Sequence, residues 1–451
     1  MPTPERSPRR IAVDILTRIE QRGEFAESLL DAVLSGDTLI DVHDRRLLTE
    51  LVYGSLRMRG RLDWIIGRLL KGKTASLKPY LRNILRTALY QIHFLDRIPE
   101  YAIVNEAVGL SKILDPAGSK LVNALLRNAL RCRDRIDYPS ETKDPALHLS
   151  VEHSHPLWLV KRWISRIGFE QALALCRANN MVPPCTVRVS RLRTTRDEVI
   201  GRLLRDGFDP VPCLFSPDGA VIRGATGSLR EAEDFHRGNI QLQDEASQLV
   251  ALLVAPEPGE RILDLCAGAG GKTTHLAEIM GNRGRILSVD IAPGKLEALR
   301  GVARRLGIGI VDTLIGDATA APAAQLRGAF DRVLVDAPCS GLGTLRRNPE
   351  IKWRLRPEAA GRFAAIQKAI LTQAAVCLRV GGILVYSTCT FLPEENEGVI
   401  RDFLEGQGTF TTVPPPAAID GTLIDREGFL RTSPVREGMD GFFGALLRRD
   451  R

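Results

Sequence analysis

The sequence has few aromatic residues, 5% of its 451, and it contains no long uninterrupted apolar run. A helix that crosses a membrane needs roughly 18 to 20 consecutive apolar residues, so the sequence predicts no contact with a membrane. The basic amino-terminal residues are not followed by the apolar stretch of a secretory signal, and we therefore expect no export.

The eight cysteines include no pair separated by two residues. This spacing excludes a zinc knuckle and a thioredoxin-type dithiol, so we expect no bound metal ion. Scattered, reduced thiols are typical of the cytoplasm, and they predict a cytoplasmic protein.

Acidic residues are scarce in one third of the chain. The net charge is +8, but residues 51–200 contain 25 lysines and arginines against 13 acidic residues, and the rest of the chain sums to −4. A basic excess concentrated in this way favours a polyanionic partner such as RNA or DNA.

Hydrophobic periodicity divides the chain into regions. Apolar residues three and four apart recur through residues 8–135 and predict an all-α bundle of roughly six helices. Residues 157–240 combine helices with an alternating strand at 185–190, which predicts a small α+β module. The predicted divisions are a helical domain at 1–138, a polar linker at 139–156, the module at 157–240 and a last domain at 241–451.

Apolar strands alternate with amphipathic helices in the last region, which predicts a Rossmann-like α/β domain with a parallel sheet. Residues 442–449 are expected to add a terminal strand. Residues 240–250 are interpreted as an amphipathic helix that either closes over a cofactor or only packs. The expected parallel strands are 261–267, 285–291, 312–318, 330–338 and 381–389.

A glycine-rich turn, CAGAGGKT at 266–273, follows the first of these strands, where open α/β sheets bind their ligands. Glycines before a helix let a ligand approach the backbone N–H groups. The turn is not a phosphate-binding Walker loop, because Cys266 stands where that loop needs glycine. It is not a full dinucleotide fingerprint either, because Thr273 takes the third glycine position.

Asp290 and Asp317 follow the second and third strands, and Asp290 lies 22 residues after Gly268. An acid at such a position can accept hydrogen bonds from a ribose diol. The pattern indicates a cofactor that contains a nucleoside, and NAD and S-adenosylmethionine both remain open. For each acid alone, a solvated carboxylate at a strand end is an equal alternative.

Two cysteines follow the fourth and fifth strands, Cys339 in DAPCSGLGT and Cys389 in STCT. Neighbouring strands lie ~4.8 Å apart, so both thiols would face one pocket if these strands are neighbours. A thiolate that adds to carbon 6 of a pyrimidine activates carbon 5 for methylation, which is covalent catalysis. Asp336 could hydrogen-bond the base. Strand geometry leaves open which thiol attacks.

Two other reactions do not fit the turn after the fourth strand. Methyltransferases that act on amino groups carry an Asp/Asn-Pro-Pro-aromatic turn, whereas Asp336 is followed here by Ala-Pro-Cys. A base deaminase needs Pro-Cys-x-x-Cys, and no cysteine stands three residues after Cys339.

Together these motifs resemble the RsmB (Sun/Fmu) family of bacterial ribosomal RNA cytosine-C5 methyltransferases, within the NOL/NOP/Sun group. The first 135 residues resemble the NusB-type RNA-binding domain of that family, and residues 157–240 its small RNA-recognition-like subdomain. The segments that carry the resemblance are LVYGSLRMRGRLD (51–63), LRTALYQIHFLDRIPEYAIVNEAV (85–108), LVNALLRNAL (121–130), QDEAS (243–247), DLCAGAGGKTTH (264–275), DAPCSGLGTLRRNPEIKW (336–353), YSTCTFLPEENE (386–397) and DGFFGALLRR (440–449).

The resemblance implies an S-adenosylmethionine-dependent enzyme, a monomer, that methylates carbon 5 of a 16S ribosomal RNA cytosine, the cytosine-967 equivalent. It implies that Cys389 is the nucleophile and that Cys339 aids product release. The alternatives are another rRNA or tRNA cytosine, or a non-catalytic NusB-like RNA-binding factor. The implied donor-binding residues are Cys266, Ala267, Gly268, Ala269, Gly270, Gly271, Lys272, Asp290, Asp317 and Asp336.

One departure from the family pattern lies in the glycine turn. The family usually has Ala-Pro where this chain has Gly268-Ala269. Loss of proline should cost about 0.4–1 kcal/mol of preorganisation, so we expect weaker donor binding and an unchanged reaction.

Overall fold

The computed structural model describes residues 7–36, 41–70, 76–224 and 229–451. The chain forms two compact units. The first unit contains residues 1–182 and 345–357, and the second contains residues 183–344 and 358–451. No helix among the described residues is long and apolar enough to cross a membrane.

The first unit is helical, as the periodicity predicts. Helix α1 begins where the Ser7 side chain accepts a hydrogen bond from the Arg10 N–H, and it ends at Gly23 with φ +68°. The helices are α1 Pro8–Arg22, α2 Ala26–Leu34, α3 Val42–Arg57, α4 Arg59–Leu69, α5 Pro79–Phe94, α6 Glu100–Leu114, α7 Ser119–Arg131, α8 Pro145–Glu152, α9 Leu157–Ile167 and α10 Phe169–Asn179.

The core of this unit is formed by the apolar faces of α1 to α7. Beside it, three arginines surround one acid: Arg59, Arg82 and Arg86 pair with Glu20 at 3.4, 2.8 and 3.2 Å. Burial alone would raise the pKa of Glu20, but the three guanidinium groups hold that pKa below its usual value. Three of the basic residues in 51–200 therefore form ion pairs with an acid of the same helical unit.

Two segments of the first unit differ from the sequence-based expectation. The polar composition of 139–156 predicts a linker, yet helix α8 lies there and buries Leu149. Residues 345–357, expected within the last domain, pack in the helical unit and contain α16, Ile351–Arg354. There the buried Lys352 Nζ donates to the Arg57 carbonyl at 3.0 Å. The predicted domain divisions themselves stay predictions.

The second unit begins with a small β-α-β-β-α-β module. Its antiparallel sheet has the order β2-β3-β1-β4, which is the ferredoxin-like arrangement. Residues 240–242, predicted as helical, are a strand that pairs with β1, so that part of the prediction is wrong. The elements are β1 Cys185–Val189, α11 Arg196–Arg205, β2 Asp209–Pro212, β3 Gly219–Arg223, α12 Glu233–His236 and β4 Ile240–Leu242.

The rest of the second unit is a mixed sheet with the order β10-β12-β9-β8-β5-β6-β7. The strands from β9 to β7 are parallel, and β12 is antiparallel to β9 and to β10. The strands are β5 Arg261–Leu265, β6 Arg285–Asp290, β7 Val311–Ile315, β8 Phe330–Asp336, β9 Leu378–Thr388, β10 Phe410–Thr412, β11 Leu430–Arg431 and β12 Phe443–Arg449.

Helices cover both faces of this sheet, as a doubly wound fold requires. One face packs a core with α17 and α18, and the other packs a core with α13, α14 and α15. The predicted Rossmann-like domain, its five parallel strands and its terminal strand are confirmed. The helices are α13 Glu245–Val254, α14 Gly271–Ile279, α15 Pro293–Leu306, α17 Ala359–Cys377 and α18 Glu397–Gly406.

Candidate active site

The glycine-rich turn joins β5 to α14 at the carboxyl edge of the parallel strands. Cys266, Gly268 and Gly270 have φ +66°, +58° and +84°, so the backbone is left-handed at three positions before α14 begins at Gly271. A Cβ added at Gly268 would meet no atom within 4 Å, so the space above this peptide is open. Residues 266–272 therefore form a cradle of backbone beside a helix amino-terminus, which suits a ligand.

Asp290 ends β6 and braces this cradle. Its Oδ2 accepts a hydrogen bond from the Gly268 N–H at 2.9 Å, and its Oδ1 accepts one from the Ala292 N–H at 2.9 Å. Each carboxylate oxygen can accept a second hydrogen bond, so the group still has capacity for a ligand hydroxyl.

Asp317 follows β7 and is exposed. Its Oδ1 accepts hydrogen bonds from the Thr319 N–H and hydroxyl at 2.9 and 2.7 Å, and these bonds lower the pKa of Asp317. Near the same edge, the side chains of Ile291 and Ile315 are 69% and 56% exposed. Carboxylates with uncovered apolar side chains at strand ends fit a donor that contains a ribose and a flat base.

Lys272 lies in the first turn of α14 and forms a partly buried ion pair. Its Nζ donates to Asp336 Oδ2 at 2.6 Å, while Asp336 Oδ1 accepts a hydrogen bond from Ser387 Oγ at 2.8 Å. Burial alone would lower the pKa of Lys272, but the Asp336 carboxylate outweighs it and the pKa is raised. The ammonium also lies 5.0 Å from the centre of the Phe442 ring.

The structure brings the two motif cysteines together. Strands β8 and β9 are parallel neighbours that pair Asp336 with Ser387, and each cysteine follows its strand end. Cys339 Sγ lies 3.3 Å from Cys389 Sγ. The cysteines at 132, 176, 185, 213 and 377 lie outside this pair.

The surroundings of Cys389 favour the protonated thiol. The hydrogen bond with Cys339, then burial, then the negative charges of Cys339 and Asp336 raise the pKa of Cys389 well above the usual thiol value. The Lys272 ammonium acts in the opposite direction. A thiolate at this position therefore depends on Lys272 or on groups that a substrate brings.

The Cys339 loop is held by residues that no sequence motif indicates. Glu395 Oε2 accepts hydrogen bonds from the Ser340 N–H at 2.8 Å and from Gln367 Nε2 at 3.1 Å. Gly343 donates its N–H to the Cys389 carbonyl at 2.9 Å, and a Cβ there would stand 1.9 Å from the Gly441 carbonyl oxygen. Glu395 lies in the segment YSTCTFLPEENE, but no pattern in that segment indicates that Glu395 binds Ser340 and Gln367.

A second buried carboxyl lies just before the turn. Asp264 is fully buried in β5, and its Oδ2 accepts a hydrogen bond from Thr273 Oγ1 at 2.5 Å. Burial raises the pKa of Asp264 to about 7, and the nearby Asp336 and Asp290 add to this effect. Its Oδ1 is buried without a protein partner. No cluster of three potential metal ligands occurs among the described residues.

The ferredoxin-like module, the strand order and the braced glycine turn define the second unit as an S-adenosylmethionine-dependent methyltransferase. The family described as "16S rRNA methyltransferase RsmB/F" matches residues 251–448. The NusB family matches residues 6–131, and the ferredoxin-like domain of RsmF/B-like methyltransferases matches residues 155–227.

The chain is similar to curated proteins over almost its whole length. It is 36% identical to the probable ribosomal RNA small subunit methyltransferase B of Bacillus subtilis, over 98% of this chain and 99% of that protein. It is 32% identical to ribosomal RNA small subunit methyltransferase B of Escherichia coli, over 98% and 99%. The chain therefore belongs to the RsmB family of 16S rRNA methyltransferases, and the resemblance found in the sequence is confirmed.

Solved structures agree. The crystal structure of PH0851 superposes with a TM-score of 0.84 at 30% identity, over 98% of this chain and 99% of that chain. NSun6 from Pyrococcus horikoshii with SFG superposes with a TM-score of 0.60 at 23% identity, over 66% and 98%, which shows a shared fold.

Proposed function

We propose that this RNA methyltransferase transfers a methyl group to carbon 5 of a cytosine through a covalent bond between a cysteine and the base. The observation that carries the proposal is the 3.3 Å separation of the Cys339 and Cys389 sulfur atoms. Direct methyl transfer to an amino group or a hydroxyl group needs no thiol, whereas carbon 5 must be activated by a nucleophile at carbon 6.

The donor occupies the cradle of residues 266–272. S-adenosylmethionine supplies an electrophilic methyl group when it is bound there. Asp290 accepts hydrogen bonds from the ribose hydroxyls, and Asp317 stands on the adenine side. Because Gly268 leaves the space above the cradle open, the donor can approach the backbone N–H groups.

Cys389 performs the attack. Its thiolate adds to carbon 6 of the cytosine, and the electron pair of the 5,6 double bond becomes available at carbon 5, which takes the methyl group. Lys272 favours the thiolate electrostatically, and Asp336 hydrogen-bonds the polar edge of the base. These two residues already form a partly buried pair at 2.6 Å, so they lose little entropy when the base binds.

Cys339 completes the cycle. It accepts the proton from carbon 5, the electrons of that carbon–hydrogen bond re-form the 5,6 double bond, and the bond between carbon 6 and the Cys389 sulfur breaks so that the sulfur leaves as a thiolate. The hydrogen bonds from Ser340 and Gln367 to Glu395 hold the loop that carries Cys339. The opposite assignment, with Cys339 as the nucleophile, is equally compatible with the distance between the sulfur atoms.

Denaturing electrophoresis distinguishes the two assignments. With RNA and donor, Cys339→Ala should attack and methylate but retain the base, giving a protein–RNA adduct that survives denaturation. Cys389→Ala should give neither adduct nor product. An adduct from Cys389→Ala but not from Cys339→Ala would reverse the roles, and no adduct from either variant would contradict the covalent mechanism.

The substrate that we propose is a cytosine of 16S rRNA, which would place the enzyme in the cytoplasm. The support is the family match together with the NusB-like helices in the first unit. Bisulfite sequencing of rRNA and tRNA from a deletion strain tests this proposal. Loss of one protected cytosine in 16S rRNA is the expected result, and loss confined to tRNA would contradict it.

A further inference from the structure

Arg188 is a fully buried arginine whose side chain reaches the helix that carries the glycine-rich turn. It stands on β1 of the ferredoxin-like module, and its exposed fraction is 0%. In β1, Val187 and Val189 face the core of the module itself, so Arg188 points to the opposite face. A guanidinium group without solvent has to find its hydrogen-bond acceptors inside the protein.

Its acceptors lie on α14 and on the segment before α13. Nε donates to Glu278 Oε2 at 2.8 Å, one terminal nitrogen donates to the Gly271 carbonyl at 2.8 Å, and the other donates to Thr274 Oγ1 at 3.0 Å. The nitrogen that binds Gly271 also donates to Gln243 Oε1. Three of these contacts run along two turns of α14, so the planar guanidinium fixes both the position and the rotation of that helix.

Gly271 and the residue after it make these contacts relevant to the reaction. Gly271 is the first residue of α14 and the last glycine of the turn, and Lys272 follows with its partly buried bond to Asp336. A shift of the Gly271 peptide would therefore move both the cradle and the Lys272 ammonium.

A second contact joins the same module to α14. Asp218, next to β3, lies 3.4 Å from His275 Nε2, and Arg191 binds the other oxygen of Asp218 at 2.6 Å. Burial lowers the pKa of His275 to about 4, so the imidazole is neutral at physiological pH. The ferredoxin-like module therefore contacts α14 through Asp218 as well as through Arg188.

We propose that Arg188 is a positioning residue for the methyl donor: through it, the ferredoxin-like module holds the glycine-rich turn in the conformation that binds S-adenosylmethionine. The inference rests on the proposed donor-binding role of residues 266–272. It assigns to the small module a part in donor binding, in addition to any contact with RNA.

The test uses the full-length enzyme with Arg188→Lys, which keeps the charge and loses the fork geometry. The dissociation constant and KM for S-adenosylmethionine should rise about tenfold or more, because hydrogen bonds to charged groups are lost. Affinity for RNA should stay within twofold, because the contacts that are lost lie at the donor turn. Arg202→Lys is the matched control, since Arg202 pairs with the buried Asp234 of the same module at 2.8 Å.

Thr274→Val is the second variant, for the case that Arg188→Lys does not fold. At nearly constant volume it removes one acceptor of Arg188, together with the bonds that the Thr274 hydroxyl donates to the Gly270 and Gly271 carbonyls at 2.7 and 3.2 Å. It should raise the dissociation constant for the donor several-fold, with the Tm within a few degrees of wild type. Unchanged donor affinity in a folded Arg188→Lys or Thr274→Val, or an equal loss of RNA and donor affinity, would overturn the inference. Unchanged donor affinity in Asp290→Ala would instead overturn the proposed donor site.

Discussion

Lys272 Nζ lies 2.6 Å from Asp336 Oδ2, although 64 residues of chain separate the two. Lys272 belongs to the helix after β5, and Asp336 ends β8, the strand hydrogen-bonded to β5. The pair is partly buried, and it links the first turn of α14 to the end of the strand that precedes Cys339. Removal of either member would leave the other charge in a largely enclosed site without its partner, which destabilises that charge.

Lys272→Met should therefore lower the methylation rate at least a hundredfold, because it removes the cation that favours the Cys389 thiolate. Lys272→Arg should restore part of the activity. Single-turnover methylation of RNA measures the effect. Lys368→Met is the matched control, because Lys368 pairs with Asp402 on the outside of the same unit. Wild-type rates in Lys272→Met would exclude a role for this ammonium.

Asp290→Ala should weaken binding of S-adenosylmethionine about 10- to 100-fold, since hydrogen bonds that involve a charged group contribute roughly 1.5–3 kcal/mol. The substitution also removes the hydrogen bond that Asp290 accepts from the Gly268 N–H. Calorimetric titration gives the dissociation constant. Asp312→Ala, which removes an exposed carboxylate paired with Arg285, should leave donor affinity unchanged.

Asp264 should make stability depend on pH between about 4 and 7. Its pKa in the folded protein is about 7, above the ordinary value of 3.8, so the folded state keeps the proton after the unfolded state has lost it. The resulting stabilisation is complete below pH 3.8 and is lost as the pH rises through 7. The Tm of Asp264→Asn minus that of wild type should therefore increase from pH 4 to 7. A constant difference would contradict the raised pKa.

Helix α7 carries Lys120, Arg127 and Arg131 at exposed positions on one face, with spacings of seven and four residues. We expect this face to contact RNA phosphates. Replacing all three by Gln should weaken RNA binding and reduce the salt slope by roughly 2–3, at about 0.7–0.9 for each lost phosphate contact. Fluorescence anisotropy at several salt concentrations measures the slope.

The control for this surface is the pair Arg18→Gln and Arg22→Gln on α1, whose side chains pair with Glu24. If the control loses as much salt dependence, the weaker RNA binding comes from the lower net charge of the protein and not from the α7 face. Arg59, Arg82 and Arg86 are unsuitable as probes, because their ion pairs with Glu20 belong to the fold.

Local patterns were sufficient for most of the fold. Strand and helix periodicities located the five parallel strands, and the residues just after each strand gave the candidate site. They located Cys339 and Cys389 because both follow strands that the structure confirms. The pattern failed at 240–242, where three residues form β4 by pairing with the distant β1. A strand so short is specified by its partner and not by its own alternation.

The missed residues share one property: their partners are distant in the chain. The alternation in β1 places Arg188 on the face opposite Val187 and Val189, and α14 covers that face and supplies its acceptors. Residues 345–357 lie between methyltransferase motifs in the sequence but pack among the helices of the first unit. Neither placement has a local signal, because burial depends on which element packs against the residue.

The sequence by itself determined the elements, the family and the identity of the chemically important side chains, because periodicity, turn residues and motif spacing are local properties of the chain. The tertiary structure decided which of those side chains meet: the 3.3 Å between two sulfur atoms, the Lys272–Asp336 pair and the buried Arg188. Those distances follow from strand order and helix packing, which bring together residues 50 to 90 positions apart.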